Sequence, residues 1–234
     1  MKTVLHKASE RGVAEHGWLH SRFSFSFADW YEPSRMGFGV LRVINDDVID
    51  PHSGFDRHTH KDMEIITIVT EGAVTHGDSM GNTFSVPVGD VQVMSAGTGV
   101  VHSEHNREDS TLKLFQIWIS PRAGGLTPRY DQRSFGSVEK NKIELLVSGN
   151  EADDVLLINQ DAYVSRAVLD EGIEVEYALK RPENGIYIFV VSGSVNVAGH
   201  GLSDRDALGI VNAKEILISA TTPAEILIFE VPMQ

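Results

Sequence analysis

The amino-acid sequence predicts an all-β protein, a sandwich or a barrel. Runs of alternating apolar residues recur along the whole chain, rich in Val, Ile, Phe and Thr, with Gly, Pro, Asn and Asp between them. Long stretches at helical period are scarce. The first clear run, MEIITIVTEG (63–72), is a strand that closes on a glycine turn. FSVPVGDVQVM (84–94) reads as two strands around Gly89-Asp90. LKLFQIWIS (112–120) is one strand, and GIYIFVVSGSVNVAG (185–199) is strand, glycine turn, strand. AEILIFEVP (224–232) is a last strand stopped by proline. NEADDVLLINQDA (150–162) fits a short helix or a strand equally well.

A chain of 234 residues is one large domain or two small ones, long enough for a sizeable core. Lys plus Arg number 20 against 33 Asp plus Glu, a formal net charge of −13. A surface that acidic repels phosphate backbones and anionic lipid, which argues against direct nucleic-acid or membrane binding. No Lys/Arg run of nuclear-localisation type is present. With no cysteine, disulfides, thiolate metal sites and a Cys nucleophile are excluded. The N-terminal stretch lacks the apolar core of a signal peptide, and the longest apolar runs, such as Ile186 to Val191, are strand-sized. A cytoplasmic protein is expected.

A weak internal repeat points to a duplicated β-unit. Glu71-Gly72-Ala73-Val74 resembles Ser192-Gly193-Ser194-Val195, and Gly89-Asp90-Val91-Gln92-Val93 resembles Arg205 to Ile210. The expected seam is Ser120 to Phe135, rich in Pro, Gly and charge.

Two segments carry the chemistry: Phe55 to Gly72, with His58 and His60, and Gly89 to Asn106, with His102 and Glu104. Side chains at i and i+2 of a strand share a face, roughly 7 Å apart, so two adjacent strands can present four ligands to one point. Three imidazoles and a carboxylate suit iron, zinc, nickel or copper, and do not suit calcium or magnesium. At equal offsets the second copy carries Leu179, Arg181, Ile218 and Ala220, none of them such a ligand set, so one metal is expected, in the first half. Glu64 continues the parity of His58 and His60, as a further ligand or, better, a residue orienting an imidazole. His105 is expected on the opposite face from Glu104, and His52 and His76, beside turn residues, at the surface. Gly97 and Gly99 read as backbone permissiveness near the site.

These residues resemble the cupin superfamily and, within it, the pirin family. Gly54, His58, His60, Glu64 and Gly72 match the first cupin motif. Gly89, Ser95-Ala96-Gly97, His102 and Asn106 match the second, with Ser95 in place of the usual proline. Met94 to Glu104 follows the pirin pattern M-x-A-G-x-G-x-x-H-S-E throughout, and residues 23–49 and LSDRDALGIV are also similar to bacterial pirin-like proteins. The resemblance implies a bicupin of two stacked jelly-roll β-barrels, residues 1–125 carrying the metal site and 126–234 lacking ligands. It implies one divalent metal, usually Fe2+, on His58, His60, His102 and Glu104, with Cu2+, Ni2+ and Zn2+ also compatible with the donors.

For function, the resemblance implies a quercetin 2,3-dioxygenase, an oxidoreductase of flavonoid degradation that takes a flavonol and O2 and releases CO. Four protein ligands would leave two positions of an octahedral ion for substrate and O2, and Glu104 could accept the substrate's proton. The family's mammalian member is associated instead with a redox-responsive regulatory role, so a metal-containing protein-binding module is the alternative, and a Lewis-acid isomerase a third. Phe23, Phe25 and Phe27 alternate, as do Phe115, Ile117 and Ile119, which serves either a core or the walls of a cavity. Two units in one chain can cover each other's apolar faces, so a monomer is expected.

Overall fold

The structure, a computed structural model, describes all residues 1–234. In the first part of the chain lie β1 (Lys2–His6), β2 (Gly12–Glu15), β3 (Leu19–Phe23), β4 (Leu41–Ile49), β5 (Gly54–His60), β6 (Glu64–Glu71), β7 (Ala73–Asp78), β8 (Thr83–Pro87), β9 (Asp90–Ser95), β10 (Val100–His105), β11 (Leu112–Ile119) and β12 (Arg129–Ser134). The rest holds β13 (Ile143–Ser148), β14 (Leu156–Leu157), β15 (Tyr163–Leu169), β16 (Glu174–Ala178), β17 (Gly185–Ser192), β18 (Val195–Val197), β19 (His200–Leu202), β20 (Ala207–Val211), β21 (Glu215–Ala220) and β22 (Ala224–Val231). Helix is confined to two three-residue 3-10 turns, at Ala8–Glu10 and Glu151–Asp153. The undecided segment 150–162 therefore splits. Asn150 caps the second of these turns by accepting from the Ala152 amide, and Leu156–Leu157 form a short parallel strand beside β13.

Four sheets make two sandwiches. In the first, the order β12-β9-β6-β11-β4-β3-β2 faces β5-β10-β7-β8. In the second, β1-β20-β17-β22-β15-β13-β14 faces β16-β21-β18-β19. The duplication is plain: β9-β6-β11-β4-β3 and β20-β17-β22-β15-β13 have corresponding order, and the turns after β6 and β17 both use a positive-φ glycine, Gly72 and Gly193. Each unit is the expected jelly-roll, with open edges rather than full closure, because the outer strands of its large and small sheets do not hydrogen-bond to each other. The edge strands are exchanged: β1 pairs with β20 of the second unit, and β12 returns to pair with β9 of the first. The expected seam is thus partly a strand, and the sheets do not follow a cut between residues 125 and 126.

Strand parity decides what each face buries. In β6, Ile66 and Ile68 face the other unit; in β17, Tyr187, Phe189 and Val191 do the same. With Phe115, Ile117, Leu227 and Phe229 they join a single 24-residue core between the two large sheets. The interior of the second unit is a separate apolar cluster of 17 residues. The corresponding space in the first unit holds only clusters of 7 and 3. The contrast sits in one cross-strand row. Ile188 pairs with Ile228 and Leu208 in the second unit, where Thr67 pairs with Gln116 and Gln92 in the first. No helix is long and apolar enough to cross a membrane.

Candidate metal centre

Two neighbouring strands of the small sheet build the site. β10 runs antiparallel between β5 and β7, so His102 lies opposite His58 on one side and Asp78 on the other, while Glu104 lies opposite His76. A register shift between His102 and Glu104 re-aims the carboxylate relative to β5. The pairing there is tight: a Cβ on Gly54 would sit 2.3 Å from the Glu104 carbonyl oxygen. Gly97, at φ +47°, is fixed in the same way, its hypothetical Cβ 2.1 Å from the Leu126 carbonyl oxygen.

The rings of His58, His60 and His102 converge, with centroids 4.4 to 4.9 Å apart. Their donor atoms lie within 4.8 Å of one another, and a second group of the same tightness joins His102 to Glu104 and His76. His58 Nδ1 faces the Asp56 carbonyl oxygen at 2.8 Å; facing an acceptor it must donate, which leaves Nε2 as the free lone pair. His102 is 1% exposed, yet neither of its ring nitrogens has a hydrogen-bond partner. Buried imidazoles are normally paired, so two orphaned nitrogens among three other donors fit a cation held there. Glu104 is buried and held by neutral donors only. Gln116 Nε2 donates at 2.7 Å to one oxygen, while Thr67 Oγ1 and Gln92 Nε2 each donate at 3.3 Å to the other. No lysine or arginine competes for the carboxylate, so its charge stays available to a cation. Gln116→Ala should therefore weaken divalent-ion affinity about 10- to 100-fold, as loss of an orienting partner typically does, measurable by competition with a chromophoric chelator.

Burial, with neighbouring imidazoles adding to it, lowers His60 to about 4 and His102 to about 3 in the metal-free protein. These rings are neutral from pH 7 down to about 5 and release no proton when a metal binds. Three ordinary imidazoles would make the logarithm of affinity fall by about three units per pH unit below pH 6. Here, with His60 and His102 already neutral, the slope is expected to be clearly shallower than that, read from metal retention after dialysis at pH 7.5, 6.5 and 5.5.

The sequence expectations meet the geometry unevenly. His58, His60 and His102 come together, and Glu104 joins His102. Register moves their counterparts in the second unit by two residues, to Tyr177, Ile216 and Ile218 for His58, His102 and Glu104. All are apolar or aromatic, so the second unit offers no equivalent site. Glu64 does not orient an imidazole. The turn at Lys61–Met63 carries the chain from the small sheet to the large one, and parity does not survive the crossing. Glu64 instead accepts from Ser95 Oγ at 2.7 Å and Asn159 Nδ2 at 3.1 Å, tying the units together. His52 is exposed and His105 half-exposed, each on the outside of the small sheet. His76 is not at the surface: it is fully buried, pairs with Asp78 at 3.0 Å, and stacks on Tyr130. Sequence reasoning also missed Thr67, Gln92 and Gln116, whose only signal is a lone polar residue inside an apolar strand.

A cavity of about 320 Å³ opens onto His58, His60 and Glu104. That is room for one small aromatic ligand. Trp18 and Phe55 stand on one side, and Phe23, Phe27 and Trp118 on the other, each set joined by ring contacts of 5.2 to 5.3 Å. Phe25 belongs to the core between the units instead, and so do Phe115, Ile117 and Ile119.

Comparison with known proteins follows the same lines. The pirin family profile matches residues 5–119, and a profile described as the quercetinase C-terminal cupin domain matches residues 145–231. The chain is 47% identical over 231 residues to an Escherichia coli protein named quercetin 2,3-dioxygenase, covering 97% of this chain and 98% of that one. It is 44% identical over 221 residues to a Caulobacter vibrioides pirin-like protein, covering 94% and 95%. A bacterial pirin from Escherichia coli, solved in complex with nickel(II), superposes with a TM-score of 0.93 at 45% identity and 99% coverage of both chains. On fold, motif and overall identity together, the chain belongs to the pirin family.

Proposed function

We propose that this protein is a metal-dependent dioxygenase that opens the central ring of a flavonol, quercetin or a near relative. The observation that carries the reading is the aromatic-walled cavity ending on the imidazole and carboxylate cluster. The name of the 47%-identical relative supports it. His58, His60, His102 and Glu104 would hold one divalent ion, Fe2+ in our reading. When bound, the ion acidifies the flavonol hydroxyl and provides the redox-active centre that lets O2 react with a closed-shell molecule. Three neutral imidazoles and one carboxylate leave that site one net positive charge, suited to an enolate.

The chain's own residues do the rest. The aromatic walls clamp a flat ring system and exclude water. Glu104 accepts the proton of the flavonol 3-hydroxyl at a carboxylate oxygen, and Gln116 on one oxygen with Gln92 and Thr67 on the other keep the carboxylate aimed. In the overall balance one O2 enters, two ring C–C bonds break, one carbon leaves as CO, and the remainder is an ester.

The test is O2 uptake and CO release by protein loaded anaerobically with Fe(II) and given quercetin, beside a His58→Ala/His102→Ala double variant. Uptake with CO from wild type alone supports the reading. Stoichiometric metal with O2 and quercetin untouched overturns it in favour of a metal-containing regulatory protein.

A further inference from the structure

The metal ligands and aromatic walls leave one side of the cavity unexplained. There Ser21, Asn45 and Asp47, from adjacent strands β3 and β4, face inward. Asp47 is 3% exposed, and its one hydrogen-bond partner is Ser21 Oγ, which donates to Oδ1. Oδ2 has no protein donor. The Asn45 side-chain oxygen is buried with no partner at all. Oδ2 opens onto the cavity, whereas a buried acceptor without a donor, as at Asn45, costs about 1–3 kcal/mol. Burial pushes the Asp47 carboxyl up to about 7, with Ser21 opposing the rise.

The fold does not require this polarity. The pairing register gives Ser21, Asn45 and Asp47 the counterparts Ile143, Ser165 and Ala167 in the second unit. Ala167 lies inside the apolar cluster there and Ile143 packs against it. Two of the three positions, those of Ser21 and Asp47, thus close an apolar core in one copy and face a cavity in the other, while the third is polar in both, Asn45 here and Ser165 there. Folding explains the first arrangement, and the second suits a cavity occupant that donates hydrogen bonds.

We propose that Asp47, with Asn45 and Ser21, is a hydroxyl-recognition wall that selects polyhydroxylated aromatic substrates over apolar ones of the same shape. The inference rests on the flavonol reading and deepens it: Glu104 serves the hydroxyl that reacts, and Asp47 accepts from a phenolic hydroxyl elsewhere on the ring system. A buried acceptor left empty by a ligand lacking that hydroxyl penalises the poorer ligand, which is how sites of this kind discriminate strongly.

The experiment is equilibrium binding, followed by quenching of tryptophan emission, since Trp18 and Trp118 line the cavity. Quercetin and 3-hydroxyflavone, which keeps the reactive hydroxyl but lacks the others, are titrated into metal-free and anaerobic nickel-loaded protein. Wild type should prefer quercetin by about 10-fold, the worth of one hydrogen bond to a carboxyl only part ionised near neutral pH. Asp47→Ala, which copies Ala167, should bring the two ligands within about threefold by weakening quercetin alone. Asp47→Asn, which keeps the shape and the Ser21 contact but puts an NH2 where Oδ2 accepts, should also lose most of the preference and provides the readout if the alanine variant does not fold. A full preference in both variants, or no preference in wild type, overturns the proposal while leaving the flavonol reading standing. Binding of neither ligand by wild type overturns both.

Discussion

His102→Ala is expected to abolish useful metal retention, with divalent-ion affinity falling on the order of 10²- to 10³-fold, one ligand's share of a four-ligand site. His102 is the decisive choice because it belongs to both tight donor groups, the one with His58 and His60 and the one with His76 and Glu104. No regrouping of the remaining side chains avoids it. The effect separates cleanly from folding. In metal-free protein both His102 ring nitrogens are buried without partners, so their removal takes away an unfavourable term along with the packing of the ring. Wild type with metal at about 1,000 times its dissociation constant gains about 4 kcal/mol, which for a chain of this size raises Tm by about 10 °C. The variant should melt close to metal-free wild type and show no such rise. Metal content by elemental analysis and a thermal scan with and without nickel settle both halves. Unchanged stoichiometry in the variant would place the metal elsewhere.

Glu104→Gln is the second large effect, and it acts on turnover more than on structure. The substitution preserves volume and one acceptor oxygen, so part of the metal affinity survives. It removes the base, and general-base contributions are typically 10²- to 10⁴-fold, which is the expected fall in kcat for flavonol-dependent O2 uptake. The surroundings sharpen the outcome. Every hydrogen-bond partner of Glu104 is a donor, from Gln116, Gln92 and Thr67, so the introduced NH2 group must face at least one of them. That conflict strains the side chain and adds to the loss. Equal turnover at equal metal occupancy would remove Glu104 from proton transfer.

Much of this was legible in the sequence because it is local. Period-two alternation identifies strands, since each strand's side chains alternate between faces whatever the strand packs against. The H-x-H and H-x-E spacings identify a potential ligand set for the same reason. The glycine turns at Gly72 and Gly193 exposed the duplication. What failed was every inference that carried parity through a turn. Counting aligns Glu64 with His58 and His60, but the chain changes sheets between them, so Glu64 faces the neighbouring unit. The composition around His76 points to the surface, but β7 turns Val74, His76 and Asp78 together toward the interior. The exchange of β1 and β12 between the units was invisible because edge pairing leaves no periodic trace.

The chain's local pattern was enough to dictate an all-β, duplicated molecule with one metal-capable unit, because strand periodicity and donor spacing are properties of adjacent residues. Which polar residues meet was decided by register across four sheets, a non-local quantity. Thr67, Gln92 and Gln116 are three isolated interruptions in apolar runs until pairing lines them up beneath Glu104. Ser21, Asn45 and Asp47 become the wall of a cavity only once β3, β4 and β11 close over the small sheet. Burial then supplies what no linear spacing can: it lowers His60 and His102, raises Asp47, and leaves the His102 nitrogens and the Asn45 oxygen without protein partners.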